Sequence, residues 1–232
     1  VAGGVQPSLR LGFGPRRIYL LGGNKYDEGV VSTVLAYDPA LDLWCEVASM
    51  ATKRCGHGAA ALSGKLYVMG GCDVGEEMPL AEAEVFDPKA NGWQPVPSMP
   101  TARKYLAAAA VAGKVYAIGG FDDDYGFCDA VGAYDPLSGA WTQVASLPVA
   151  RGYHTAAVVD GIKIYVLDGI IYDDEDEREA TGRVDVYHPA ADSWQQMAAM
   201  PTARETNAAA VMDGKIYVSG GFTTSRELSD AF

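Results

Sequence analysis

The chain has 232 residues, 49% hydrophobic and 21% charged, with 27 Gly and 12 Pro, a composition that suits a turn-rich globular protein and excludes a disordered one. A formal net charge of -12 argues against nucleic acid or an anionic membrane as the main partner, because both need a basic footprint. No apolar run approaches the roughly 20 residues of a membrane span, and the opening VAGGVQPSLRLGFGPRR lacks the apolar middle of a secretion signal, so a reduced, cytoplasmic (intracellular) setting is expected.

Residues 1–17 read as an irregular N-terminal segment and 18–232 as one repeat domain. The first strand-like run, IYLLGG (18–23), returns as LYVMGG (66–71), VYAIGG (115–120), IYVLDG (164–169) and IYVSGG (216–221). Each of the last four follows a small apolar run, HGAAAL (57–62), LAAAAV (106–111), TAAVV (155–159) or NAAAV (207–211), across a tight turn such as Ser63-Gly64 or Asp213-Gly214. After the glycine pair come AYDP (36–39), VFDP (85–88), AYDP (133–136) and VYHP (186–189), where proline ends the pairing because it has no N–H to give. A lone tryptophan follows (Trp44, Trp93, Trp141, Trp194), then an arginine (Arg54, Arg103, Arg151, Arg204), and the period is 48 to 53 residues. A unit of that length points to a propeller or solenoid. Four short antiparallel strands per unit (a, the alanine run; b, the glycine-pair run; c, ending in proline; d, at the tryptophan) describe a propeller blade, and no helix is evident. Small side chains suit an innermost strand a. The tryptophans are expected to be at least partly buried between sheets and the arginines to bond backbone carbonyls at the blade junctions, both structural roles.

On these phrases the chain resembles the Kelch-repeat β-propellers. The resemblance covers residues 18–230 and implies an all-β toroid, usually of about five to seven blades, most often used to bind other proteins. The chain departs from the pattern at Asp168, in place of a glycine, and at His188, in place of the Asp of Tyr-Asp-Pro. SLRLGFG stands where the first strand a belongs, and SRELSDAF where the fifth strand c should begin. About four to five blades are represented, so an incomplete ring is expected, with the chain part of a longer Kelch protein or completed by another chain.

The spacings place the variation. Aromatic to tryptophan is seven residues and tryptophan to arginine ten in every unit, whereas the first pair position to the next aromatic runs 15, 16, 15 and 19. Length freedom sits in the b–c loops. Because antiparallel strands reverse at each turn, these loops share one rim with the d–a connections. They hold 17 of the 30 acidic residues and 3 of the 18 basic ones. IYDDEDERE (171–179) lies in the longest. This rim is expected to bind a basic surface of another protein through Asp122, Asp123, Asp124, Asp173, Asp174, Glu175, Asp176 and Glu177, with Glu76 and Glu77 nearby. Tyr105 and Tyr153, two residues after their arginines, read either as partner contacts at the channel mouth or as ring packing.

Catalysis finds no constellation. Some Kelch propellers are copper-radical oxidases or sialic-acid mutarotases, but His57 and His154 have no third partner at a matching position and read as satisfied or solvent-facing. The four cysteines, Cys45, Cys55, Cys72 and Cys128, show no pair at metal-ligand spacing, and the acidic runs lack the spacing of a calcium loop. No metal and no cofactor are expected. The function expected is a protein-interaction scaffold or complex subunit. A substrate-recognition module of a ubiquitin ligase, whose BTB or F-box segment is absent from these residues, and a small-molecule enzyme of the mutarotase or oxidase type stay open beside it.

Overall fold

The computed structural model describes residues 17–73, 78–123, 126–172 and 177–223. It contains β-strands and no helix among these residues, arranged as successive antiparallel sheets. The first sheet joins β1 (Ile18–Leu21), β4 (Val34–Asp38) and β5 (Leu43–Val47); between its first two strands lies a ribbon of β2 (Asn24–Lys25) and β3 (Gly29–Val30). Three four-stranded sheets follow. The second is β6 (Gly58–Leu62), β7 (Lys65–Met69), β8 (Ala83–Asp87) and β9 (Gly92–Val96), and the third is β10 (Ala107–Val111), β11 (Lys114–Ile118), β12 (Val131–Asp135) and β13 (Ala140–Val144). The fourth is β14 (Thr155–Val159), β15 (Lys163–Leu167), β18 (Val184–His188) and β19 (Ser193–Gln196), with a ribbon of β16 (Ile170–Tyr172) and β17 (Arg178–Ala180) projecting from it. A hairpin of β20 (Ala208–Met212) and β21 (Lys215–Ser219) ends the series. Among the described residues the sheets do not close into a ring.

The a strands are innermost, where β6 meets β10, β10 meets β14 and β14 meets β20. Alanine and glycine fill them for a steric reason: a Cβ built on Gly58 would stand 2.9 Å from the Cβ of Ala108 in the next sheet. Between sheets, apolar faces interdigitate. Val34, Ala36 and Met50 pack with Val68 and Phe86, and further along Tyr116, Ile118 and Val131 pack with Ile164, Val166 and Tyr187. Each large side chain fully buried in this way stabilises by about 1.5–3 kcal/mol.

The constant spacings are registers. Seven residues from aromatic to tryptophan places them directly opposite across the c–d hairpin, as Tyr37 with Trp44, Phe86 with Trp93, Tyr134 with Trp141 and Tyr187 with Trp194. The a–b turns Ser63-Gly64, Ala112-Gly113 and Asp213-Gly214 have positive φ at both positions, which matches the right-handed twist of the strands they join. In the fourth sheet the turn gains Ile162, and this residue lengthens its arginine-to-pair spacing by one.

The tryptophans reach backward. Trp93, Trp141 and Trp194 donate their indole N–H to Ala48 O at 2.7 Å, Pro97 O at 2.7 Å and Ala145 O at 2.8 Å, each in the preceding sheet four residues after that sheet's own tryptophan. Trp44 has no preceding sheet among the described residues and is 49% exposed. Trp141→Phe keeps an aromatic ring but loses the indole N–H and its bond, so a loss about 1 kcal/mol beyond that of Trp44→Phe is expected in urea denaturation. Trp44→Phe should change the midpoint little, and equal losses for both would refute the latch.

Candidate functional site

The arginine and the glycine pair build the floor of one rim. The carbonyls of Arg54, Arg103, Arg151 and Arg204 accept the N–H of Gly23, Gly71, Gly120 and Gly169, the second pair position of the preceding sheet, at 2.9 to 3.1 Å. A Cβ at the first position would collide with the same carbonyl, at 2.5 Å for Gly22 and 2.4 Å for Gly70, while φ there is positive. Only glycine meets both demands without strain. The side chains turn to their own sheet: Nη1 of Arg54, Arg103 and Arg204 donates to the carbonyl 16 residues on, that of Gly70, Gly119 and Gly220, at 2.7, 2.8 and 2.9 Å. The guanidinium thus ties the end of strand b to its own sheet, and the main chain makes the junction.

Charge partners differ from sheet to sheet. Arg54 pairs with buried Glu84 at 2.7 Å, and Glu84 also accepts the N–H groups of Ala51 and Thr52. Arg151 pairs with buried Asp185 Oδ2, and Arg183 donates to both oxygens of the same carboxylate, at 2.7 Å to Oδ2 and 2.9 Å to Oδ1. In the third sheet the corresponding position is Gly132, and Arg103 is met instead by the carbonyls of Gly119, Ala130 and Ala117. Burial lowers the basicity of Arg103 and Arg151, opposed by Cys128 and Asp122 in the first case and by Asp185 in the second. Asp168 stands at a pair position with φ +56°, fully buried, and no salt bridge among the described residues reaches its carboxylate. Burial pushes its carboxyl up to about 8, with the Thr155 amide and the Arg151 and Arg204 charges opposing more weakly.

Above this floor the b–c loops and d–a connections meet on one rim. Isolated bridges join Cys55 to Cys72, Lys104 to Phe121, Gly152 to Ile170 and Glu205 to Phe222, and the loops fold back through Cys72–Pro79, Phe121–Phe127 and β16–β17. A line of backbone bonds crosses the sheets here: Tyr105 N–H donates to Gly56 O at 2.6 Å, Tyr153 to Tyr105 at 3.0 Å and Thr206 to Tyr153 at 3.0 Å. All four residues have φ between +53° and +58°. Tyr105 and Tyr153, both half-buried, stack with ring centroids 4.0 Å apart and an interplanar angle of 18°.

Asp122 is half-buried and accepts the Gly126 N–H of its own loop at 3.3 Å, whereas Asp123 and Glu177 are exposed. Asp124, Asp173, Asp174, Glu175 and Asp176, with Glu76 and Glu77, lie outside the described residues. Sequence reasoning missed the cluster between the third and fourth loops. Arg178 lies over Phe121 at 5.0 Å, Phe127 at 5.6 Å and Tyr172 at 5.9 Å, and Lys104 lies 5.8 Å from Tyr105 and 5.9 Å from Phe121. Such contacts stabilise by about 0.5–2 kcal/mol each. The signal was present, since aromatics flank both acidic runs in FDDDYGF and YDDEDER. His57 and His154 are held neutral, with pKa values lowered by burial and by their arginine neighbours to about 4 and about 3. His154 Nε2 lies 3.1 Å from Ile118 O. No helix of the described residues is long and apolar enough to cross a membrane.

Several relatives match parts of this chain. Mus musculus Kelch-like protein 21 is 38% identical over 68 residues, 29% of this chain and 11% of that protein. Kelch-like protein terF of Aspergillus terreus is 46% identical over 61 residues, 25% of this chain and 13% of that protein. An F-box/kelch-repeat protein of Arabidopsis thaliana is 41% identical over 70 residues, 29% and 14% of the two chains. The matched stretch is therefore a small part of each of them. The solved structure of YjhT superposes with a TM-score of 0.77 over 91% of this chain and 76% of its own, at 16% identity, a likeness of fold. The family described as the KLHDC2/KLHL20/DRC7 Kelch-repeats domain matches residues 12–221, and this chain, with its glycine pairs, opposed aromatics and buried arginines, belongs to that Kelch-repeat family.

Proposed function

We propose that the chain is a protein-interaction module that takes a basic segment of a partner protein on the rim formed by its b–c loops and d–a connections. The observation that carries this reading is the sorting of charge: 17 of 30 acidic residues fall in the b–c loops, with only 3 of 18 basic ones. Keeping the protein soluble would not require such sorting. The stacked Tyr105 and Tyr153 supply a rigid aromatic surface on the same rim, of the kind that anchors interfaces.

A substrate-recognition role in a ubiquitin ligase is a narrower form of this reading, favoured by the matching stretch of an F-box/kelch-repeat protein. The test exchanges Asp173, Asp174, Glu175, Asp176 and Glu177 for Ser and Asn and follows capture of proteins from a lysate, and of a Lys/Arg-rich peptide library, against ionic strength. Capture should fall about tenfold on exchange, and raising salt from ~0.1 to ~0.5 M should weaken the wild type more than the variant. Unchanged capture with an unchanged salt slope would defeat the proposal.

A further inference from the structure

The four cysteines are scattered in sequence, but the fold brings two of them into contact. Cys55 follows the buried Arg54 on the d–a connection, and Cys72 follows the glycine pair of the second sheet. They face each other as an antiparallel bridge, with Cys55 N–H to Cys72 O at 3.0 Å and Cys72 N–H to Cys55 O at 2.9 Å. The same bridge is occupied by Lys104 and Phe121, by Gly152 and Ile170, and by Glu205 and Phe222 in the sheets that follow. The geometry is therefore a property of the repeat, and thiols are not needed to make it. Directly opposed residues of an antiparallel pair project to the same face. Here that places the two sulfurs 3.3 Å apart. A hydrogen-bonded pair holds its Cα atoms about 5.5 Å apart, inside the range that a disulfide spans. Val30 completes the small apolar cluster around the pair, and Cys55, at 6% exposed against 0% for Cys72, is the outer thiol.

We propose that Cys55 and Cys72 form an oxidisable dithiol that a small hydroperoxide closes to a disulfide. The Cys55 sulfur attacks a peroxide oxygen and the O–O bond breaks, leaving Cys55 as the sulfenic acid and releasing the alcohol, or water from hydrogen peroxide. The Cys72 sulfur then attacks the sulfenic sulfur, the S–S bond forms, and the hydroxyl leaves as water. Two electrons pass from the sulfurs to the peroxide, and the two thiol protons end on the released alcohol and water. The new bond fastens the d–a connection to the root of the acidic loop at 72–81. This proposal is independent of what the rim binds.

The full chain is reduced, treated with hydrogen peroxide, alkylated, digested and mapped by mass spectrometry. Two of the four thiols should be lost, the intact mass should fall by two hydrogens, and a Cys55–Cys72 linked peptide should appear and vanish with dithiothreitol. Because the bond closes a loop between residues 17 apart, the melting temperature should rise by about 5 °C. In Cys72→Ser the oxidation should stop at a sulfenic acid on Cys55 that dimedone traps. Recovery of Cys55 and Cys72 as separately alkylated peptides after peroxide treatment, or linkage of either to Cys45 or Cys128, overturns the proposal. The mapping is made on the wild-type chain, so a poorly folding variant does not blunt it.

Discussion

Arg54→Ala is expected to destabilise the protein by about 3–5 kcal/mol, and Arg103→Ala by about 1–3 kcal/mol. Both guanidinia are essentially fully buried and both bond strand-end carbonyls. What they leave behind differs. Removing Arg54 strands the Glu84 carboxylate, 4% exposed, with the Ala51 and Thr52 amides as its remaining partners among the described residues. At the corresponding site Gly132 supplies no carboxylate, so removing Arg103 abandons neutral carbonyls. Urea denaturation of both variants at neutral pH gives the two values. Adding Glu84→Gln to Arg54→Ala should recover part of the loss, because the stranded charge is then gone. Equal losses for the two arginines, or no recovery in the double variant, would show that the ion pair is not what the second sheet depends on.

Asp168 should make the protein less stable as pH rises. Its carboxyl is raised to about 8 from a reference of 3.8, so between these values the folded chain holds a proton that the unfolded chain releases. Stability from this residue is complete below pH 4, falls through the interval, and is fully lost above pH 8; the change between pH 4 and pH 7 is roughly 4 kcal/mol if the whole shift is realised. Asp168→Gly restores the residue found at the same position in the other sheets, and it also relieves a side chain held at φ +56°. The variant should be more stable than the wild type by about 2–4 kcal/mol at pH 8 and by about 1 kcal/mol or less at pH 4. Unfolding curves at the two pH values decide it, and parallel pH profiles for variant and wild type would assign the slope to other groups.

Much of this architecture was legible because the repeat encodes registers directly. The seven-residue spacing is a cross-strand pair, and the 16-residue spacing from Arg54 to Gly70 is a side-chain hydrogen bond. Reversal of direction at each turn was enough to put b–c loops and d–a connections on one rim, and bridges such as Lys104–Phe121 join them there. What escaped were contacts that single units make alone. Glu84 and Asp185 occupy a position filled by Leu35 and Gly132 in other units, so comparison of the repeats hid it. Cys55 and Cys72 meet only through the bridge between the arginine and the glycine pair. Arg178 is the one base within IYDDEDERE, and its place over Phe121, Phe127 and Tyr172 depends on how neighbouring loops lean. Asp168 was visible as a departure from the pattern, but its complete burial was not.

The line of left-handed residues from Gly56 through Tyr105 and Tyr153 to Thr206 bears on how such a surface can change over time. A positive φ is costly for tyrosine and more so for β-branched threonine, yet the backbone bonds from sheet to sheet hold all four in the same conformation. Side-chain identity is thereby uncoupled from main-chain shape along this line. Mutation can rewrite Tyr105, Tyr153 and Thr206 one at a time without rebuilding the scaffold that presents them, whereas a Cβ at Gly56 would meet the Tyr105 ring at 2.8 Å. New recognition can arise there by single substitutions, each tested by selection on an unchanged frame.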